Sequence, residues 1–172
     1  MHFPLFLELD GRDCLVVGGG KVAWRKSRVL SDFGARVKMV APEMSGRLFE
    51  DSDVEGMVLV VAATDDAMLN ARVSELCRAK GILVNVVDDP ANSTFIFPAI
   101  LRKGAITAAV SSGGKCPVAA KMVRDRIDGI VSDEFVDAVD RLGCDRENLK
   151  RMYSDLSERA KFYEEELLKC KG

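Results

Sequence analysis

The first half of the chain alternates between two hydrophobic patterns. Four short, almost continuously apolar runs predict strands that are covered on both faces. Between them, apolar side chains recur at helical spacing and predict amphipathic helices. Strand and helix alternate with short joints, so we expect an α/β fold: a parallel sheet built from right-handed crossovers, with helices on both faces. The predicted strands are residues 14–17, 37–40, 57–62 and 82–87, and the predicted helices are residues 21–33 and 65–80.

Beyond Pro90 the pattern changes to a small β-rich region followed by helices. Residues 94–101 and 105–111 are rich in β-forming side chains, with the link 102–104 between them. Pro98, inside the first run, indicates an edge position or a bulge. Three helices are expected after this region: one opened by Pro117 and running to about residue 130, one capped by Ser132 or Asp133 and ending near Gly143, and one capped by Asp145 and running through Leu167.

The composition is that of an ordinary globular protein. The chain has 172 residues, 48% of them hydrophobic and 30% charged, which excludes wholesale disorder and suits one domain with a small appendage. We place the boundary near residue 112, between a domain of residues 1–112 and a helical region of residues 113–172. The net charge of −2 does not indicate the excess of basic residues that is typical of proteins binding nucleic acid or an anionic membrane. No apolar run is long enough to cross a bilayer, and the first residues lack the basic segment of a secretory signal, so we expect a cytoplasmic protein.

Cysteine and histidine offer little chemistry. The five cysteines are an odd number, widely spaced and without a C-x-x-C motif, so we expect reduced thiols and neither a disulfide scaffold nor a zinc site. Cys14 and Cys77 are predicted to be core residues. The single histidine, His2, lies at the start of the chain, and we therefore expect no histidine-based triad and no metal site.

A glycine-rich turn follows the first predicted strand. Residues 18–23 fit the pattern G-x-G-x-x-A, directly after a buried strand and at the start of an amphipathic helix. Gly18 permits the tight turn, Gly20 allows a pyrophosphate to approach the backbone, and Ala23 lets the helix lie close to the sheet. The helix N-terminus supplies free N–H groups and a partial positive charge. The sequence therefore predicts a Rossmann-type dinucleotide site, the alternative being a glycine turn that serves only to reverse the chain.

The ribose of such a cofactor needs an acidic side chain at the end of the second strand. Glu43 is displaced past Pro42 and is an imperfect candidate for this role. No arginine directly follows the strand to bind a 2′-phosphate, although Arg47 is near. We therefore favour NAD over NADP as the cofactor.

Several segments, taken together and in order, carry a family resemblance. They are FPLFL (3–7), CLVVGGGKVA (14–23) with RK (25–26), AATDD (62–66) with Asn70, NVVDDP (85–90), FIFPA (95–99) and AVSSGGK (109–115). With these segments the chain resembles precorrin-2 dehydrogenase, the NAD-dependent module of siroheme synthase. The resemblance covers residues 3 to about 130, and the remainder fits only loosely.

The resemblance implies a homodimer that oxidises precorrin-2 to sirohydrochlorin, with NAD taking a hydride. It implies that Asp88 is the essential aspartate and that Ser111 serves substrate binding or regulation. Some members of the family also insert ferrous iron to make siroheme. The dinucleotide contacts that the resemblance implies are Gly18, Gly19, Gly20, Lys21, Val22, Ala23, Pro42, Glu43, Ala63 and Thr64.

Asp88 is a catalytic candidate on its own chemistry as well. It follows the end of a parallel strand, where ligands bind in such sheets, and a carboxylate there can take the proton released when a macrocycle is oxidised. Asp89 beside it is expected to raise one pKa of the pair by charge repulsion. The alternative is that the turn formed by Asp88, Asp89 and Pro90 only satisfies its own backbone.

Precorrin-2 is a polycarboxylate, so its site needs cations or N–H donors. The loop before Pro117 offers a second anion cradle, and several basic residues lie near it in the sequence. Considered one at a time, each of these basic residues is more readily explained as a solvated surface charge. The candidate substrate-binding residues are Asn85, Ser111, Ser112, Gly113, Lys115 and Arg124, with Arg102 and Lys103 as further cations.

One departure from the family concerns residues 41–56. The family usually has a helix and an extra edge strand in this crossover, but here the stretch is short and contains Pro42, Gly46 and Gly56. We expect the sheet to lack that strand and the adenosine end of the site to be more open.

Three alternatives stay open beside the dehydrogenase. The chain is a dehydrogenase that also acts as a ferrochelatase, with Asp88 as the base for both reactions, or it is a non-catalytic NAD-binding module that needs the glycine turn but not Asp88. In a third alternative the apolar stripe of the last helix forms a coiled coil with a partner. Because that stripe is short, we favour its packing within the protein's own dimer.

Overall fold

The structure, a computed structural model, describes residues 2–170. The chain packs as two units, one ending at Phe97 and the other beginning at Pro98. The boundary expected near residue 112 lies inside the second of these units, because the hairpin that precedes it packs on a helix of that unit. Within the described residues, no helix is both long and apolar enough to cross a membrane.

The first unit alternates strands with helices, as the hydrophobic pattern predicts. Its elements are β1 (Asp13–Val17), α1 (Lys21–Asp32), β2 (Arg36–Val40), α2 (Pro42–Ser45), a 3₁₀ helix (Asp51–Val54), β3 (Leu59–Ala62), α3 (Ala67–Ala79) and β4 (Leu83–Val86). The strands form one parallel sheet in the order β2-β1-β3-β4. Val17 pairs with Val40 and Ala62, and Ala62 pairs with Val86, so all four strands end at one edge. We call this the carboxyl edge.

Apolar side chains cover both faces of this sheet. Val16 of β1 lies in one buried cluster with Ala23 and Leu30 of α1. Val17, the next residue of β1, lies in a second cluster with Cys77 of α3. Neighbouring strand residues therefore point to opposite faces, and each face is closed by a helix. The prediction of a parallel sheet with helices on both faces is confirmed.

The crossover of residues 41–56 contains only α2 and the 3₁₀ helix, and the described sheet has no strand beyond β2. A buried carboxylate holds this stretch together. Asp53 accepts hydrogen bonds from Arg47 Nη1 at 2.8 Å, Lys38 Nζ at 2.8 Å and the Glu50 backbone N–H at 3.0 Å. The Arg47 guanidinium, followed by the other donors, holds the pKa of Asp53 well below its usual range. The prediction that the extra edge strand is absent is confirmed.

The chain after β4 turns back along the outer side of that strand. Val84 N–H donates to Thr94 Oγ1 at 2.8 Å and Val86 N–H to Ser93 Oγ at 2.9 Å, while the two carbonyls accept from Thr94 N–H and Ser93 Oγ. Because side-chain hydroxyl groups of Ser93 and Thr94 take most of the places of backbone partners along β4, residues 94–98 do not form the predicted strand. That part of the β prediction is wrong.

As far as residue 170, the second unit consists of a hairpin and four helices. Its elements are β5 (Ala99–Lys103), β6 (Ile106–Val110), α4 (Pro117–Ile130), α5 (Asp133–Cys144), α6 (Arg146–Met152) and α7 (Leu156–Leu168). β5 and β6 pair antiparallel, with Lys103 opposite Ile106. The predicted link of residues 102–104 is wrong at its start, since Arg102 and Lys103 belong to β5 and the turn is made at Gly104, whose φ is +52°. α4 packs against both strands.

The last predicted helix is in fact two helices. α6 ends at Met152 and α7 begins at Leu156. Asp155 ends the helical run because its carboxylate accepts the N–H groups of Ser157 at 2.8 Å and Glu158 at 3.0 Å, as an N-cap does. Asp145 stands at the N-cap position of α6, as expected, but its carboxylate accepts from the Asn148 side-chain amide and not from the helix backbone. Ser132 caps α5 through the Phe135 N–H, as predicted.

Candidate functional site

The glycine turn lies at the carboxyl edge, directly between the end of β1 and the start of α1. Gly18 N–H donates to the Val40 carbonyl at 2.9 Å and its φ is +124°, a value that favours glycine. A β-carbon at Gly18 would collide with the backbone carbonyl of Ala63, which follows β3. Gly18 therefore lets the turn pass tightly between the ends of two strands, as the sequence predicts.

Gly20 has a different surrounding from Gly18. It is the N-cap of α1, with φ of −74°, and it gives the helix no side-chain cap. No atom lies within 4 Å of the place where its β-carbon would stand. The first turn of α1, which begins at the exposed Lys21, contains no acidic side chain. Open space beside an uncapped helix N-terminus fits a pyrophosphate group.

Glu43 reaches back to the glycine turn from α2. Although it is exposed, its carboxylate lies so close to Gly19 that a β-carbon on that glycine would collide with it. Pro42 is the first residue of α2 and fixes the direction in which this short helix leaves β2. An acidic side chain thus stands beside the turn, where the ribose of a dinucleotide requires one. Binding of ribose by Glu43 stays a prediction.

Ala63 and Thr64 form the loop after β3 at the same edge. Thr64 is held by Asn70 of α3, a buried residue. Asn70 Oδ1 accepts from Thr64 Oγ1 at 2.8 Å and from its N–H at 3.3 Å, and Asn70 Nδ2 donates to the Thr64 carbonyl at 2.9 Å. The sequence alone does not assign Asn70 to the site. An asparagine at a buried helix position six residues after Thr64 is the signal that points to it.

Asp88 and Asp89 follow β4 and have separate roles. Asp89 accepts the N–H groups of Ala91 at 3.1 Å and Asn92 at 3.2 Å, and the Asn92 side-chain amide at 2.7 Å. These bonds, the amide first, lower the pKa of Asp89, so the expectation of a raised pKa is wrong for this residue. Asp88 is exposed and is the one non-glycine residue with positive φ, +59°, among residues 2–170. The Asp89 carboxylate therefore accepts the hydrogen bonds of this turn, and the Asp88 carboxylate does not serve that purpose.

Lys26 of α1 was missed as a site residue. It is half-buried, and its Nζ lies 3.7 Å from the centroid of the Phe97 ring. Burial first, and then the neighbouring Arg25, lower the pKa of Lys26 to about 8, while the Asp88 carboxylate acts in the opposite direction. The signal in the sequence is a lysine one helical turn after Ala23, on the side of α1 that faces the sheet.

Asn85, a predicted substrate ligand, is buried within β4. Its side-chain amide donates to the Phe95 carbonyl at 3.1 Å. This bond holds the segment after β4 against the strand. Contact between Asn85 and a substrate stays a prediction.

The remaining predicted substrate ligands lie in the second unit. Ser111 Oγ accepts from Gly113 N–H at 3.0 Å, and Ser112 Oγ accepts from Cys116 N–H at 2.9 Å, so the hydroxyls shape the loop before α4. Lys115 is exposed in this loop. Arg124 donates to Asp125 at 2.7 Å and to the Ile100 carbonyl at 3.3 Å, and is therefore tied to α4 and β5.

The buried cysteines are poor candidates for a reactive thiol. Cys14 and Cys77 are fully buried, and burial raises the pKa of each thiol to about 11, which confirms their prediction as core residues. From residue 2 to residue 170, no group of three or more His, Cys, Asp or Glu side chains is arranged to hold a metal ion.

The sheet is parallel, and a glycine turn with an uncapped helix N-terminus follows its central strand β1. These features define a dinucleotide-binding protein of the Rossmann type. A family model described as putative NAD(P)-binding matches residues 5–99, more than half of the chain. The chain belongs to this NAD(P)-binding family.

The chain is also similar to siroheme synthases. It is 43% identical over 175 residues to siroheme synthase of Ectopseudomonas mendocina, an overlap of 94% of this chain and 38% of that protein. It is 40% identical over 176 residues to siroheme synthase 2 of Aeromonas hydrophila, an overlap of 95% of this chain and 37% of that protein. The chain thus spans less than two-fifths of the length of these curated relatives.

A solved structure has a similar fold. It is SirC, a precorrin-2 dehydrogenase, which matches with a TM-score of 0.68 and 22% sequence identity over 95% of this chain and 88% of that one. The resemblance stated from the sequence is confirmed by these relatives, and the predicted fold by this structure.

Proposed function

We propose that this chain binds NAD and oxidises precorrin-2 to sirohydrochlorin in siroheme biosynthesis. The observation that carries the proposal is the placement of Asp88 at the same sheet edge as the open glycine turn. Similarity to siroheme synthases over 94% of the chain supports the choice of substrate. The fold shared with a precorrin-2 dehydrogenase agrees with it.

In this proposal the cofactor is held by the start of α1 and by the loops beside it. The N–H groups at Gly20, Lys21 and Val22 face the pyrophosphate, Glu43 accepts from the ribose hydroxyls, and Ala63 and Thr64 line the path toward Asp88. Arg47 is paired with Asp53, and the Glu43 carboxylate repels a 2′-phosphate. Both features favour NAD over NADP.

The reaction removes two hydrogens from precorrin-2. NAD⁺, when bound, supplies the acceptor for one of them as a hydride with its electron pair. The second hydrogen leaves as a proton, and an Asp88 carboxylate oxygen accepts it and releases it to water. The exposure of Asp88 gives the proton a route to solvent. The balanced products are sirohydrochlorin, NADH and one proton.

We assign the acidic side chains of the substrate to the loop before α4. Ser111, Ser112, Gly113 and Lys115 offer hydroxyls, an N–H group and an ammonium to carboxylates. Asn85 and Arg124 are proposed as further substrate ligands, and in the structure their side chains also donate to the Phe95 and Ile100 carbonyls. The homodimer and the cytoplasmic location stay predictions, and light scattering at micromolar concentration tests the first.

The test is an anaerobic assay of precorrin-2 with NAD⁺, following NADH formation, for the wild type and Asp88→Asn. We expect the variant to lose roughly a hundredfold or more in turnover because its side chain no longer accepts a proton. Its affinity for NAD⁺, measured by calorimetry, is expected to stay that of the wild type. Glu75→Gln, the same kind of change at an exposed position of α3, is the control. No turnover by the wild type, or full turnover by Asp88→Asn, contradicts the proposal.

A second assay addresses the ferrochelatase alternative. Sirohydrochlorin is incubated with Fe²⁺ or Co²⁺ without NAD, and the absorption spectrum is followed. An unchanged spectrum means that the protein acts as a dehydrogenase and not as a chelatase. If a metallated product forms, and forms more slowly in Asp88→Asn, both reactions are assigned to the Asp88 carboxylate.

A further inference from the structure

Three polar side chains follow one face of α3. Asn70, Ser74 and Arg78 are spaced four residues apart, which places them in a row along the helix. Asn70 holds the loop after β3 through its hydrogen bonds to Thr64. Ser74 is fully buried, and a buried hydroxyl in the middle of a helix requires a hydrogen-bond partner. The partners of Ser74 and Arg78 lie in the segment after β4.

Ser74 and Arg78 together hold two consecutive carbonyl groups of that segment. Ser74 Oγ donates to the Asn92 carbonyl at 2.6 Å, and Arg78 Nη2 donates to the Ala91 carbonyl at 2.7 Å. Arg78 Nε also donates to Ser74 Oγ at 3.3 Å, so the two side chains are joined to each other. Hydrogen bonds from a charged donor are among the stronger ones in proteins. Residues 91 and 92 are thus fixed to α3.

The same two residues are joined to Asp88 through Asp89. The Asp89 carboxylate accepts the N–H groups of Ala91 and Asn92 and the Asn92 side-chain amide. The Asp89 N–H donates to the Val86 carbonyl at 3.2 Å and closes a turn of residues 86–89. We call it the Asp88 turn, because Asp88 is its third residue. A continuous series of hydrogen bonds therefore leads from α3 to the residue next to Asp88.

The backbone of the Asp88 turn needs such support. Asp88 has a φ of +59°, a conformation that costs free energy for a residue with a β-carbon and persists where the surroundings fix it. Its carboxylate is exposed, so the place of that group depends on the backbone that carries it. A proton acceptor must lie within hydrogen-bond reach of the proton it takes. Support of the turn and proton transfer to Asp88 are therefore linked by geometry.

We propose that Ser74 and Arg78 are positioning residues, which hold the Asp88 turn so that the Asp88 carboxylate meets the substrate in the orientation that proton transfer requires. This inference rests on the proposed function, because it gives Asp88 the same role. The alternative is that the two side chains only stabilise the fold. Positioning predicts a loss of kcat without a loss of affinity for NAD⁺, because the proposed cofactor contacts lie on other loops.

The kinetic test compares Arg78→Met and Ser74→Ala with the control Arg72→Met. Arg72 is an exposed arginine of the same helix, and its guanidinium pairs with Asp51 of the 3₁₀ helix at 2.7 Å. We expect Arg78→Met and Ser74→Ala each to lower kcat roughly five- to fiftyfold, since a displacement of about 1 Å costs about a hundredfold. The KM for precorrin-2 and the Kd for NAD⁺ are expected to stay within about twofold of the wild type.

Arg78→Lys distinguishes positioning from general stabilisation. A lysine ammonium still donates to one carbonyl, so we expect this variant to restore most of kcat. A partly unfolded enzyme would lose affinity for NAD⁺ together with kcat. Wild-type kcat in both Arg78→Met and Ser74→Ala overturns the inference. So does an equal loss in Arg72→Met, or a loss in Arg78→Met that Arg78→Lys does not reverse.

A measurement without turnover separates this inference from the proposed function. Amide ¹⁵N relaxation reports how firmly the Asp88 turn is held in the free protein. At Asp88 and Asp89 we expect order parameters of about 0.85 in the wild type and in Arg72→Met, and a fall toward about 0.6 in Arg78→Met. Order parameters unchanged in Arg78→Met overturn the inference even if precorrin-2 is oxidised. If the turn loosens as expected but the wild type does not oxidise precorrin-2, the proposed function fails instead.

Discussion

The substitution Gly20→Ala tests whether the glycine turn binds the cofactor without changing how the turn folds. The backbone at Gly20, with φ of −74°, accepts alanine, and nothing stands within 4 Å of the new methyl group. Replacing glycine at such a position stabilises a protein by about 0.4–1 kcal/mol through the unfolded chain. Alanine is a poorer N-cap than glycine by roughly 0.5–1 kcal/mol. The two effects nearly cancel, so we expect an unchanged free energy of unfolding.

The same methyl group occupies the space through which a pyrophosphate approaches the first turn of α1. Each hydrogen bond to a charged group that it blocks is worth about 1.5–3 kcal/mol. Loss of one such bond raises Kd for NAD⁺ roughly 10- to 100-fold, because about 1.4 kcal/mol corresponds to a factor of ten. Kd is measured by calorimetry, and the free energy of unfolding by urea titration.

Two other glycines supply the controls for this experiment. Gly18→Ala forces a positive φ on alanine and a collision with the Ala63 carbonyl, so it is expected to cost about 1–3 kcal/mol of stability. Gly129→Ala, in open space on α4, is expected to gain up to about 1 kcal/mol with no change in Kd. If Gly20→Ala binds NAD⁺ within twofold of the wild type, the pyrophosphate does not lie at this turn.

Two further predictions concern the loops beside the turn. Asn70→Ala removes the side-chain partner of the Thr64 N–H and carbonyl groups and is expected to cost about 1–3 kcal/mol and to raise Kd for NAD⁺. The exposed Asn148→Ala is the control, and equal Kd values in both variants would contradict the assignment. Asp53 has a lowered pKa, so its contribution to stability is complete above about pH 5 and is lost as the pH falls below about 4. Asp53→Asn is therefore expected to have a lower free energy of unfolding than the wild type in urea titrations at pH 7, and a smaller difference at pH 3. An equal difference in the free energy of unfolding at both pH values would show that the carboxylate's charge is not responsible.

The sequence was sufficient for the parts of the fold that depend on local hydrophobic pattern. Continuous apolar runs identified all four strands of the first sheet, and the glycine spacing identified the turn at Gly18 and Gly20. The missing edge strand was foreseen because residues 41–56 are too few to form one. These are properties of short segments that hold regardless of what packs against them.

Other features depend on partners that periodicity does not reveal. Residues 94–98 look like a strand, yet Thr94 binds β4 through its hydroxyl and the ladder does not form. The apolar stripe continues past Asp155, although that carboxylate starts a new helix. Lys26 and Asn70 join the site only because the sheet brings α1, α3 and the loops after β3 and β4 to one edge. A basic or amide side chain in a helix has no pattern of its own to mark it.

The hydroxyl groups of Ser93 and Thr94 also determine where the sheet stops. They and the Thr94 backbone occupy the outward N–H and C=O groups of Val84 and Val86, so an extended peptide finds nothing to pair with along that border. The opposite border, β2, presents the charged side chain of Lys38. Sheets protected in these two ways resist growing into aggregates by adding strands from other molecules, so the folded unit is expected to stay dispersed at high concentration.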